Sequence, residues 1–523
     1  LFSQFFHSLR HKKETQLITG LFVLNMLVKL VPVFRGIMIH PDAPVYLWSA
    51  QSLAAGDVQG AIAAYPMLFY PFLIMLVHKM GIDWLWAGRL ISLTASSLAL
   101  LPFLAIAKRF VTGWPLLVGA LLFIFFPELN AQGYAALRDP LYLFLSLSCL
   151  YYALRFLDGG GLPSFWGAVA VALLLPLVRV EGAFTAVLVC GVCAWLLLRA
   201  RIKNTRPLFL CLLVGLATLV AGLFFSETLR VLVRFEWFFV YFKKLSSGAL
   251  SVQPCLHALD SVSSSLPAAT NGSNFWQVIE RHWPWIYFIG TLYVFVEIVG
   301  WPILLMGAAG MLTLLRRRDS GSMLLVVLFG GQLALMVLFY LFRGYLEVRY
   351  MLLPALLLLV FSLASLEPVF EAVYSKAGRL FAHKKKVALA VFAALLLLPF
   401  VDDSLSNKFR FHVPLLEESA HWVDKEVLGG DGDRQWLIFS NARRMAWFLE
   451  RRDMRYLKKI NEMTVKRYLA PKRRQPALFV LLLNRRVPQD MELLESLTTK
   501  YPETSKVFVD RHGNKHVVVA VWR

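Results

Sequence analysis

The sequence predicts a polytopic α-helical membrane protein of about eleven transmembrane helices, followed by a soluble α/β domain at the C-terminal end. Three observations predict it. First, of 523 residues, 58% are hydrophobic and 17% charged, where a soluble domain carries about 25% charged residues. Second, apolar runs near the roughly 20 residues that cross a bilayer recur through residues 1–401. They lack period-two alternation, so helices and not a closed barrel must satisfy the backbone in lipid. Third, from Asp402 to Arg523 the composition turns to that of a soluble domain. The formal charge of +21 fits basic inside loops and contact with anionic lipid, and calls for no nucleic acid. Cys149, Cys190, Cys193 and Cys211 lie in apolar runs and Cys255 in a polar loop. They read as buried small apolar residues, not as a zinc, redox or disulfide framework.

Arg10, Lys12 and Lys13 precede the first helix (about 16–34), read as retained, and the positive-inside rule places them in the cytoplasm. The helix exits outward, so an outer loop over 35–86 carries His40, Asp42 and Tyr46. Within it, Met67–Met80 is only about 14 residues long and contains Pro71, His78 and Lys79, which predicts an interfacial helix and no span. Helix 2 (about 87–107) runs inward to Lys108-Arg109, and helix 3 (about 114–127) returns outward to a loop with Tyr134 and Arg138-Asp139. Helix 4 (about 141–157) goes in. Helix 5 (about 164–178) comes out and presents Arg179 and Glu181, and helix 6 (about 183–199) goes in to a basic loop. Helix 7 (about 207–226) leads to a long outer loop over 227–285, whose Ser/Pro/Gly/Asn-rich part is a candidate cover for bound substrate. Helix 8 (about 286–315) goes in to Arg316-Arg317-Arg318, helix 9 (about 322–342) out to Arg343 and Glu347-Val348-Arg349-Tyr350. Helix 10 (about 351–366) goes in to a Lys/Arg cluster, and helix 11 (about 387–401) goes out. The triple-Arg and triple-Lys clusters all fall inside; a full span at Met67–Met80 would throw them outside. Residues 402–523 are then an external α/β domain, with strands at Trp436–Ser440, Ala477–Leu483, Val507–Asp510 and His516–Trp522 and helices near Ala442–Glu450, Met463–Leu469 and Asp490–Thr498.

This topology brings Asp42, Arg138-Asp139, Arg179 with Glu181, Arg343, and Glu347 with Arg349-Tyr350 to helix ends on one side of the bilayer. Charges there are less costly than at the midplane and can serve one surface cavity. Carboxylates with arginines suit transfer from a phosphate ester: a carboxylate takes or orients the acceptor's proton, and arginines bind phosphate in bidentate fashion and stabilise the leaving oxygen. Two carboxylates from separate loops are also the hard donors that a divalent cation takes. Asp57 reads as a helix cap. Glu297, inside helix 8, either lines the cavity or pairs with Lys29.

The order of motifs resembles a family. Loop 1 carries Asp42, Tyr46, Ala50, Leu53, Gly56 and Asp57, followed by Pro71 and Arg89-Leu90. Then come Arg138-Asp139-Pro140, Leu177-x-Arg179-x-Glu181-Gly182, and Arg349-Tyr350 four residues before Pro354. The set is similar to the GT-C superfamily of polyprenyl-phosphate-dependent glycosyltransferases, relatives of protein O-mannosyltransferases and of the lipid A aminoarabinose transferase, over most of residues 1–400. The resemblance implies Asp42 as catalytic base or acceptor-orienting group and Asp139 as the second acidic residue. It implies Arg349, with Arg343 or Arg138, as the donor-phosphate site, and His40, Tyr46, Arg179, Glu181, Glu347 and Tyr350 as cavity residues. It also implies a bacterial inner-membrane enzyme with its site facing the periplasm. The donor would be a sugar on undecaprenyl or a related lipid phosphate, the acceptor a glycan, lipid or protein. A divalent metal (Mg2+, Mn2+ or Ca2+) at Asp42 and Asp139 is the cofactor the family sometimes uses, but the single Asp42 replaces the adjacent acidic pair of many mannosyltransferases. The alternative reading, a lipid-linked-sugar flippase or transporter, predicts midplane polar groups and internal repeats, whereas here the polar groups gather at one interface.

Overall fold

The computed structural model describes residues 12–34, 40–179, 181–199, 274–343, 346–377, 384–405 and 414–428, and, further on, 437–440, 449, 455–456, 477–484, 488–500, 505–509 and 515–522. It divides into two compact units. One comprises Leu1–Pro32 with Ser49–Asn407, the other Val33–Trp48 with Lys408–Arg523.

The first unit is a helical bundle. Among the described residues seven helices are long and apolar enough to cross a membrane, nine if each of two bent pairs is one span, and the chain is a multi-pass membrane protein. The predicted helix over 207–226 lies outside the described residues. The Met67–Met80 run forms Phe69–His78, ten residues long, bent by 120° from the preceding Val58–Ala64 helix. At about 1.5 Å per residue it reaches only half the hydrocarbon thickness. Asp57 caps Val58–Ala64, accepting from the Gly60 N–H at 2.7 Å.

The outer loop predicted over 227–285 requires correction: the chain is already helical from Asn274, and helix 8 is the 44-residue Asn274–Arg317. The predicted loop after helix 3 is likewise no open loop. Trp114–Ile124 bends by 47° into the short helix Pro127–Gly133, and Tyr134, Ala135, Ala136 and Leu137 are all buried. Lys29, fully buried on the first helix Lys12–Phe34, donates to Asn130 Oδ1 at 2.8 Å and so ties that short helix down. Asn130 in turn donates to Ile124 O and Ser404 Oγ.

The most buried span is Val348–Lys376 (83% of its apolar window), the least is Lys385–Leu405 (11%). A helix apolar all round belongs at the centre of a bundle, and the Leu352–Ala377 helix holds that place. It packs along Asn274–Arg317 so closely that a Cβ at Gly310 would collide with the Phe361 backbone, the close approach small residues give membrane helices. On the face opposite to Asp139's end of Asp139–Leu157, Arg109 joins three turns: it pairs with Asp158 (2.8 Å) and Asp319 (3.4 Å) and donates to Leu154 O.

The second unit holds a five-stranded mixed sheet. With β1 Leu437–Ser440, β2 Arg455–Tyr456, β3 Ala477–Asn484, β4 Ser505–Val509 and β5 Lys515–Trp522, the order is β2-β1-β3-β5-β4. β1 lies parallel to β2 and β3, and β5 antiparallel to β3 and β4. Side chains alternate between two cores. Leu478, Val480, Val517 and Val519 pack with Ala420 and Val423. Phe479, Leu481, Val518 and Ala520 pack with Leu493 and Leu497 of the Pro488–Lys500 helix. The helices predicted near Ala442–Glu450 and Met463–Leu469 fall almost wholly outside the described residues.

Candidate active site

Three helix ends of the first unit supply the site. Asp139 opens Asp139–Leu157 with Pro140 behind it; a carboxylate in the first turn suits the positive end of the helix dipole, and proline's missing N–H is no loss there. Arg179 ends Gly161–Val178 in extended conformation, and Glu181 starts the next helix, Glu181–Arg199. Gly182 is required by that reversal, since an added Cβ would strike the Leu175 carbonyl. Arg349 and Tyr350 lie in a single 3-10 turn, Val348–Met351, that leads into the central helix.

Asp139 and Arg179 form a buried ion pair through Oδ1 and Nη1. Arg179 also grips Glu181 with both edges of its fork, Nη2 to Oε1 at 2.9 Å and Nε to Oε2 at 3.2 Å. Its guanidinium carbon lies 4.7 Å from the Tyr350 ring centre and 5.5 Å from that of Tyr142. Arg179 is therefore committed to protein partners in every direction. Arg349 stands differently. Its Nη1 is 3.9 Å from Asp139 Oδ2, an ion-pair distance too long for a hydrogen bond, and its Nε is 2.6 Å from Glu347 Oε2. The Nε–H is not aimed along that short contact, so the pair is held by charge and not by a directed hydrogen bond. Asp139, Arg179 and Arg349 are 3%, 4% and 9% exposed, Glu347 42%.

Asp139, Arg179, Glu181, Arg349 and Tyr350 line one cavity with Tyr142, Gln332, Met336 and Leu353. Its wall contains a polar chain that sequence reasoning missed: Gln332 Nε2 donates to Thr185 Oγ1 at 2.7 Å, and the Tyr142 hydroxyl is 2.8 Å from the same oxygen. A signal existed. Tyr142 is one turn from Asp139, Thr185 one turn from Glu181, and a glutamine inside an apolar span faces protein and not lipid.

Of the predicted residues, Asp139, Arg179, Glu181, Glu347, Arg349 and Tyr350 come together. Arg138 sits beside them, donating to Val178 O at 3.0 Å with Met67 Sδ at 2.8 Å and its guanidinium 5.0 Å from the Tyr65 ring centre. Arg343 ends the Ser320–Arg343 helix. His40, Asp42 and Tyr46 belong to the second unit. There Asp42 precedes the Ala43–Ala54 helix, its N–H donating to His40 Nδ1 at 3.1 Å and its carboxylate 3.8 Å from that nitrogen. Tyr46 is buried.

A divalent cation does not fit at Asp139. Both carboxylate oxygens face guanidiniums, and Glu181 is held by Arg179 as well, so a cation would meet two fixed positive charges. Among the described residues no three His, Cys, Asp or Glu side chains gather as a metal site.

No protein-family model and no curated protein matches the chain. Solved structures do. ArnT from Cupriavidus metallidurans bound to undecaprenyl phosphate matches at TM-score 0.53 and 14% identity, over 97% of this chain and 98% of that one. The archaeal oligosaccharyltransferase AglB from Archaeoglobus fulgidus, in complex with an inhibitory peptide and a dolichol-phosphate, matches at 0.52 and 12%, over 97% and 74%. The Archaeoglobus fulgidus oligosaccharyltransferase with zinc and sulfate matches at 0.50 and 11%, over 95% and 72%. The chain is a membrane protein with the GT-C fold.

Proposed function

We propose that the protein is a membrane glycosyltransferase that moves a sugar, a hexose or pentose, from a polyprenyl phosphate to an acceptor at the outer face of a bacterial inner membrane. The observation that carries this reading is the pairing of Arg349 with Asp139. A nearly buried guanidinium stands at the head of the central helix, held in place by a buried carboxylate. That is an anion site at the start of an apolar helix. The similar folds were solved with undecaprenyl phosphate and dolichol-phosphate, which supports a lipid phosphate as its ligand.

In this reading Arg349 takes the donor phosphate, with Arg138 or Arg343 as further cationic support. Asp139 keeps Arg349 aligned, and Arg179 and Glu181 brace Asp139. The family resemblance of its loop assigns Asp42 the role of the base that accepts the proton of the attacking acceptor group, a hydroxyl, amine or phosphate, as a new bond forms to the anomeric carbon. The bond from that carbon to the phosphate oxygen breaks, and the electron pair left on the oxygen is stabilised by Arg349. Glu347 and Tyr350 shape the approach to Arg349. No step is assigned to a metal.

The test is transfer from a synthetic polyprenyl-phosphate sugar in liposomes. Asp42→Asn is expected to lower kcat by roughly 10²-fold or more, as loss of a general base does. Arg349→Ala is expected to weaken donor use by a factor of about 10 to 10². Wild-type transfer by both variants would remove the reading.

A further inference from the structure

We propose that Glu347 is a stand-in for the donor phosphate: it occupies the Arg349 guanidinium in the resting site and swings into water when a phosphate arrives. The inference rests on the proposed function, in which Arg349 is the phosphate ligand.

Three observations carry it. Two carboxylates, Asp139 and Glu347, already lie against the Arg349 guanidinium, and a third, Glu181, is held with Asp139 by Arg179. A phosphate added with all three in place would lie beside a carboxylate on the same guanidinium, and like charges so placed repel. One anion has to leave. Asp139 and Glu181 are 3% and 9% exposed and tied to Arg179, so moving either would strand a buried charge. Glu347 is 42% exposed and can be hydrated at once. Its commitment to the fold is also the slightest. It precedes the Val348–Met351 turn but makes no side-chain cap to it, and its 2.6 Å contact with Arg349 Nε is electrostatic, without hydrogen-bond alignment. The placeholder keeps the Arg349 guanidinium between Glu347 and Asp139. It also sets a threshold: a ligand must bring its own anion to displace it. Glu347 is thus a positioning and selectivity residue, acting through Arg349.

The experiment uses the full-length protein in nanodiscs and a short-chain isoprenyl monophosphate as probe, with binding measured by calorimetry. Glu347→Gln removes the competing charge and preserves shape. It is expected to bind the probe about three- to tenfold more tightly, the scale of losing a half-exposed ion pair. Glu347→Ala should tighten binding in the same direction, and Glu347→Asp should stay closer to wild type. A residue that merely supports the fold would weaken binding when changed. Weaker or unaltered affinity in both Glu347→Gln and Glu347→Ala overturns the proposal. Arg349→Ala separates the two levels. If it leaves probe affinity unchanged, the phosphate does not sit at Arg349 and the functional reading itself fails. If it weakens the probe while Glu347→Gln fails to tighten it, only the placeholder fails.

Discussion

Removing Arg179 should damage the fold more than any other single change at the site, and removing its partner as well should restore part of the loss. Arg179 is 4% exposed and stands between Asp139 and Glu181, at 3% and 9%. Arg179→Ala takes from two buried carboxylates their nearest counter-charge, leaving Asp139 the 3.9 Å ion pair with Arg349, at a cost of about 3–5 kcal/mol. Arg179→Lys keeps a charge but not the two-pronged grip on Glu181, a loss of roughly 1.5–3 kcal/mol for a charged hydrogen bond. In the double variant Arg179→Ala/Glu181→Ala one stranded carboxylate is gone. The cycle should therefore show coupling of about 2 kcal/mol, within the range for residues in direct contact. Reversible unfolding by SDS titration in mixed micelles reads these differences. Additivity within about 0.5 kcal/mol would show that Arg179 and Glu181 do not depend on each other, and would refute the assignment of Arg179 as brace and not phosphate ligand.

Two further outcomes follow from contacts away from the site. Asp319 accepts from the N–H groups of Gly321 and Ser322, both at 3.0 Å, from the Ser322 hydroxyl at 2.5 Å, and pairs with Arg109. Partial burial works against its charge, but the Ser322 bonds and Arg109 outweigh it and hold the carboxyl below its usual range. A carboxylate depressed in the folded state stabilises above its unfolded pKa of about 4 and loses that contribution as pH falls through the lower folded value. Asp319→Asn should thus be less stable than wild type at pH 7, with the gap closing in acid; a gap independent of pH contradicts the assignment. Gly310→Ala should cost about 1–3 kcal/mol by forcing apart Asn274–Arg317 and the central helix, and an unchanged SDS midpoint would show that the two helices are not in close contact there.

Much of the helical layout was legible because lipid demands long apolar helices, and the interruptions stand out as Pro, Gly and charge. Asp139, Arg179 with Glu181, and Arg349 could be found because each stands at the end of such a run. What escaped were features that hydropathy does not register. The start of the Asn274–Arg317 helix is polar in sequence, so it reads as loop even though a helix that extends past the lipid need not be apolar. The central helix continues from Leu352 to Ala377 through Pro368, past the predicted end at about 366. Thr185 and Gln332 are single polar residues in apolar runs, and only side-chain contacts across helices show that they share an oxygen. The division of labour between the arginines was equally hidden. Nothing in their spacing tells that Arg179 is consumed by carboxylates while Arg349 meets Asp139 at ion-pair distance.

In the proposed function a lipid phosphate docks at Arg349. An electron cryomicroscopy structure of the full-length protein with added undecaprenyl phosphate tests it most directly. Phosphate density is expected within about 4 Å of the Arg349 guanidinium, the reach of a charge-assisted contact, with the Glu347 side chain turned away. Density for the phosphate at a different helix end, with Arg349 still against Glu347, would contradict it.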